Sequence, residues 1–262
     1  MANPERISSQ AISLAVERFA RMAPRRGLLT PEQVAERDRD EYGAREQRLE
    51  RIRRSGIGKR LGRDQHGRSD VDRIIKGDML DTSALRAVQH LAGTSVPVQR
   101  ERRWLMLCGD TGIGKSVAAG WLLARDGGRY VTIHDLAEQH SALARGLAPQ
   151  TQDEIRERLN RVIRGKVVVL DELGQEEIPM ALATRRALHW FVERRIASQP
   201  PDSFTVIISN LNEHDLRDRF NGNGAHAYDR RTARRLATVC MRKTNQSCIH
   251  EIGGPDMRGA PL

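Results

Sequence analysis

The sequence predicts an α/β fold, a parallel sheet flanked by helices, preceded by a small helical N-terminal region. Short apolar runs rich in β-branched residues alternate with helical stretches from residue 104 onward. A glycine-rich phosphate-binding pattern sits between the first of these runs and the helix that follows it. Residues 1–54 read instead as two helices. The expected organisation is a partner-binding region over 1–54, a linker or lead-in over 55–80, and the main domain over 81–262.

In chain order, Ile7, Ala11, Leu14, Ala15 and Phe19 recur at roughly helical spacing, and Pro24-Arg25-Arg26-Gly27 ends that run. A second helix begins at Thr30, with Pro31 in its first turn and Gln33 closing a capping box. It runs to about Arg54 with few apolar residues, and serves equally well as a solvated helix or a docking arm. Gly56, Gly58, Gly62, Gly67 and Gly77, set among charges, mark the lead-in. A helix over 84–92 comes next. Strands are expected at 104–108 and 129–133, and helices at 134–146 and 151–164. Residues 167–170 form an apolar run suited to a buried parallel strand. A long helix over 180–198 and a strand over 204–209 follow.

No run of about 18 apolar residues occurs, and no apolar signal core follows Met1, so neither a membrane span nor a leader is expected. Cys108, Cys240 and Cys248 have no metal-ligand spacing, which fits a reducing cytoplasm. With 44 Lys plus Arg against 34 Asp plus Glu, the chain carries a formal charge of +10, a balance that favours a polyanionic partner. Aromatic residues are 4% of the chain, so phosphate contacts suit it better than base stacking.

The strongest motif is Gly109-Asp110-Thr111-Gly112-Ile113-Gly114-Lys115-Ser116. Its glycines let successive N–H groups turn toward phosphate oxygens, Lys115 adds charge at the β- and γ-phosphates, and Ser116 offers a hydroxyl to Mg²⁺. ATP and Mg²⁺ are therefore the expected ligands. Asp171 and Glu172 end an aliphatic strand, where Asp171 can hold the metal and Glu172 can polarise the attacking water. Asn210 follows the next strand and can reach a water or the γ-phosphate. Arg231 and Arg235 lie four apart on one helix face. They suit either a neighbouring subunit's ATP, Arg235 ahead of Arg231, or DNA. The histidines are scattered without a nucleophile–base arrangement, and Trp104, Trp121, Trp190 and Phe191 read as packing residues.

The order of these motifs resembles the DnaC/IstB group of AAA+ ATPases. The carriers are the P-loop, Leu170-Asp171-Glu172-Leu173-Gly174, Ile208-Ser209-Asn210-Leu211, and an Arg-rich helix ending Arg235-Leu236. Residues 49–57 resemble the segment that precedes the core in DnaC-type loaders, and 254–258 the group's closing motif. The resemblance implies an AAA+ ATPase that assembles as a homo-oligomer on single-stranded DNA and grips a replicative helicase through its N-terminal region. Asn210 would be sensor 1 and Arg235 the arginine finger. Arg145 and Arg164 fall in the part that contacts DNA. The chain lacks the zinc-binding cysteines of some loaders, and residues 221–226 read as an insertion. An IstB-like transposition ATPase, a small-molecule kinase and a non-hydrolysing DNA clamp are the alternatives. Glu172 and Asn210 favour water activation over the last two.

Overall fold

The computed structural model describes residues 30–63, 68–93, 103–174, 181–198, 200, 202–221, 228–240 and 249–252. The helix expected near the N-terminus, residues 222–226 of the insertion expected at 221–226, and the closing motif at 254–258 lie outside the described residues. The chain divides into two compact units, residues 1–43 and 44–262. In the first, the capping box forms as expected: Thr30 N donates to Gln33 Oε1 at 3.0 Å and Gln33 N to Thr30 Oγ1 at 3.3 Å. It opens helix α1, Pro31–Ser55.

Residues 55–80 are more structured than their glycine content suggests. A 3-10 turn, Ile57–Lys59, is followed by helix α2, Asp70–Lys76. Ile57 and Ile74 are buried in the core, at 0% and 2% exposure. The remaining elements are α3 (Ser83–Gly93), β1 (Arg103–Cys108), α4 (Lys115–Asp126), β2 (Arg129–Thr132), α5 (Ile133–Ala142), α6 (Pro149–Ile163), β3 (Val167–Leu173), α7 (Ala181–Ser198), β4 (Phe204–Ser209), α8 (Glu213–Asn221), α9 (Arg230–Cys240) and β5 (Ile249–Glu251). Residue 133, read from the sequence as strand, opens α5 instead. Thr132 caps that helix by accepting from Asp135 N at 3.0 Å, so the chain turns one residue early.

The strands form one sheet in the order β2-β3-β4-β1-β5, and every paired neighbour is parallel. Strand alternation sorts the core into two layers. Trp104, Met106, Val168, Leu170 and Ile207 face one cluster with Leu136, Leu159, Leu188 and Phe191 from the helices. Leu105, Leu107, Val167, Val169, Val206 and Ile208 face the other, with Ile52, Ile74, Val88 and Leu122. Both faces are covered, so the strands read as continuous apolar runs. Trp104 and Phe191 meet edge-on with ring centroids 6.2 Å apart. Buried Cys108 has its thiol pKa pushed up to about 11, first by burial and then by Glu213 and Glu251.

Candidate nucleotide site

At the C-terminal ends of the strands lies a cavity of about 500 Å³, within the roughly 300–1,000 Å³ typical of small-molecule sites. The P-loop supplies one wall through Thr111, Gly112, Gly114, Lys115 and Ser116. Asp171, Glu172 and Asn210 line the cavity beside the P-loop. Motifs 94 residues apart in sequence (Ser116 to Asn210) thus converge because β1, β3 and β4 are parallel neighbours.

The loop geometry has steric causes. Gly109, Gly112 and Gly114 have φ of 120°, 84° and 90°, in the region that disfavours side chains. A Cβ on Gly109 would lie 2.5 Å from Ile252 O, so the loop is pressed against the segment following β5. Ile113 anchors the loop from beneath and is buried. Lys115 is 4% exposed, and its Nζ donates to Gly109 O at 2.7 Å and Asp110 O at 2.6 Å. These bonds hold the ammonium group within the loop, at the N-terminus of α4.

Asp171 is 5% exposed, and three donors satisfy it. Its Oδ2 accepts from Ser116 Oγ at 3.1 Å and Tyr130 OH at 2.8 Å; its Oδ1 accepts from Glu172 N at 2.6 Å. Tyr130 was not foreseen from the sequence. Burial, followed by the charge of Asp171, raises its hydroxyl pKa, which keeps it a neutral donor. Ser116 and Asp171 form the close hydroxyl–carboxylate pair that suits a hard cation such as Mg²⁺. The buried lysine and glycine cradle fit a nucleotide's phosphates.

Glu172 stands where the β3–β4 ladder slips. Leu170 pairs with Ile207 but Leu173 pairs with Ser209, leaving one extra residue on β3. Glu172 takes up the slip with φ of 65°, left-handed for a non-glycine residue. The bulge turns its side chain to the cavity, where it forms an ion pair with Arg60. For Arg60, burial lowers the pKa, but Tyr130, Glu172 and Asp171 outweigh it and the net direction is up. Arg60 lies just after the 3-10 turn, in the segment that the sequence showed only as a lead-in.

Hydrogen bonds tie the strand ends together. Ser209 Oγ donates to Leu173 O at 2.6 Å and accepts from Leu211 N at 3.1 Å, while Gly109 N donates to Leu211 O at 2.8 Å. Leu211 also explains Gly174, since a Cβ there would sit 2.5 Å from Leu211 Cδ1. Asn210 is held between these bonds on the cavity wall.

Arg235 lies elsewhere. Its Nε is 2.8 Å from Glu193 Oε1 on α7, and Arg231 Nε is 3.3 Å from the same oxygen. Neither arginine lines the nucleotide cavity of its own chain. Arg145 does not line it either; Arg164 lines a separate cleft at the other end of the sheet.

No family model matches the chain, and no curated protein matches it. Among solved structures, the chain is similar to DnaI, with 20% identity and a TM-score of 0.44, over 67% of this chain and 82% of that one. It is also similar to the DnaC helicase loader, with 19% identity and a TM-score of 0.46, over 65% and 88%. Domain III of the Thermotoga maritima replication initiation protein DnaA matches with 15% identity and a TM-score of 0.43, over 66% and 62%.

Proposed function

We propose that the chain is an ATP-hydrolysing accessory of DNA replication, a DnaC-type loader that binds single-stranded DNA and acts on a replicative helicase. The observation that carries the ATPase reading is the convergence of Lys115, Ser116, Asp171, Glu172 and Asn210 on one cavity. Lys115 and the loop amides bind the phosphate chain. Ser116 and Asp171 would hold Mg²⁺, which would supply positive charge against the phosphates. Tyr130 fixes the carboxylate of Asp171 for that task. Glu172 accepts a proton from the attacking water, and Asn210 orients that water or the γ-phosphate.

The ion pair with Arg60 occupies the carboxylate of Glu172 and competes with the attacking water for it, so slow basal hydrolysis is expected. The loader reading is supported by the order of motifs, the Ser209-Asn210-Leu211 junction and the charge of +10. On this reading residues 1–54 bind the partner protein and 81–262 form the ATPase domain. Arg235 serves the nucleotide of a neighbouring subunit once copies assemble.

Light scattering and ATP turnover test the reading together. The expected outcome is an oligomer that requires ATP, Mg²⁺ and single-stranded DNA, is weakened by Arg235→Ala, and hydrolyses ATP faster than the free chain. Equal turnover with and without DNA at low salt, from a persistent monomer, overturns the DNA-assembly part. The absence of ATP binding overturns the whole.

A further inference from the structure

A second cleft, of about 450 Å³, lies at the opposite end of the sheet from the nucleotide cavity. Five arginines line it: Arg51, Arg54, Arg129, Arg161 and Arg164. They come from the last turn of α1, the start of β2 and the end of α6, so the fold gathers them from three distant stretches of chain. No acidic side chain lines the cleft among the described residues. Counted along β3, it is about 20 Å from Glu172, at roughly 3.3 Å per residue.

Part of this charge has a structural use. Three helices end here, and each C-terminus carries a partial negative charge of about half a unit. Arg51 donates to Ala124 O at 3.3 Å and to Arg125 O, closing α4, and Arg129 donates to Arg54 O at 2.6 Å, closing α1. Three carboxylates stand nearby: Glu50 accepts from Arg54 Nε at 2.6 Å, Glu157 lies 3.9 Å from Arg161 Nε, and Asp126, next to Gly127, lies 3.6 Å from Lys166 Nζ. With Asp126 paired to Lys166, the five arginines still exceed the other two carboxylates and the three helix ends by more than one unit.

The floor is backbone. Gly127, Gly128 and Gly165 lie there, and Gly128 packs so tightly that a Cβ would meet Val167 O at 2.2 Å. A glycine floor under planar guanidinium groups leaves room for a bulky oxyanion that arginines can bind in bidentate fashion. Hydrogen bonds from the side chains to helix-end carbonyls account for Arg51 and Arg129, but not for Arg161, exposed on the last turn of α6, or Arg164, exposed just after it.

We propose that this cleft is a second anion site, which binds adjacent phosphate groups independently of the nucleotide cavity. Two sources carry that chemistry, the sugar–phosphate backbone of a nucleic acid and a free polyphosphate.

The test uses the full chain in a Lys115→Ala background, so that the P-loop does not take the probe. Titrations with a labelled single-stranded oligonucleotide and with inorganic tripolyphosphate are compared with and without Arg161→Gln and Arg164→Gln together. These two side chains cap no helix, so the fold is expected to survive, and the unfolding midpoint checks it. If a nucleic acid is the source, the double variant weakens oligonucleotide binding at least tenfold. The slope of log affinity on log salt then falls by about 1.4, at about 0.7 per lost phosphate contact. If the source is a free polyphosphate, tripolyphosphate binding falls at least tenfold and oligonucleotide binding does not change. Unchanged affinity for both probes overturns the proposal, and does so even if the chain binds DNA elsewhere. ATP binding by the otherwise wild-type chain carrying the two glutamines is expected to stay unchanged.

Discussion

At the C-terminal ends of the strands, Asp171 and Glu172 line one cavity with Lys115, Ser116 and Arg60 and pair directly with Ser116 and Arg60. At the N-terminal ends, Arg195 is 0% exposed and has no carboxylate partner within salt-bridge distance among the described residues. Its guanidinium donates instead to Ile163 O at 2.7 Å, Gly165 O at 2.8 Å, Phe204 O at 2.9 Å and Thr205 Oγ1 at 3.0 Å. Burial pulls its pKa down to about 10, which leaves it charged at neutral pH. The first group of charges is arranged so that ligands can change its partners. The second satisfies backbone oxygens that would otherwise be buried without donors, and it joins the end of α6 to the start of β4. The cavity thus keeps its charged groups open to a ligand, whereas Arg195 uses its charge for folding.

This contrast predicts that substitutions at the two ends dissociate activity from stability. Lys115→Ala should have the largest effect, a loss of about 2–5 kcal/mol in ATP affinity, with little change in urea unfolding; isothermal titration reads the first quantity. Glu172→Gln should leave ATP binding intact and lower turnover by about 10²–10⁴. If turnover persisted at the wild-type rate, another group would have to be the base. Arg195→Met should do the reverse. It strips donors from two buried carbonyls and a partly buried one and should cost about 3–5 kcal/mol of stability, measurable as a lower urea midpoint, with ATP affinity per folded molecule retained.

Two smaller effects sharpen the boundary. Tyr130→Phe removes one donor from the buried carboxylate of Asp171 and should cost about 1–2 kcal/mol of stability, which would show that even the chemical end contains a structural bond. Arg60→Ala should raise basal ATP turnover two- to threefold by freeing Glu172. A fall in turnover would instead assign Arg60 to binding the phosphates.

The sequence was most legible where function needs consecutive residues. A phosphate cradle is built from neighbouring N–H groups, so residues 109–116 declare themselves in one stretch. The same holds for the Thr30–Gln33 capping box, whose partners are three apart, and for the apolar runs that became β1, β3 and β4. Asp171 and Glu172 were legible because they end such a run. The lead-in was misleading because glycine content reports local freedom, whereas Ile57 and Ile74 are buried by contacts with distant elements.

What the sequence by itself determined is the set of local devices: the P-loop, the acidic strand end, the helix starts and the alternation that demands a covered parallel sheet. Only the tertiary structure decided that Tyr130 and Arg60 hold the two acids, that Arg235 pairs with Glu193 within the chain, that Arg195 is buried, and that five arginines from separate segments share one cleft. The physical reason is that sequence spacing fixes geometry within one turn or strand. Partners tens of residues apart meet only through strand order, register and the slip at Glu172, which are set when the whole sheet packs.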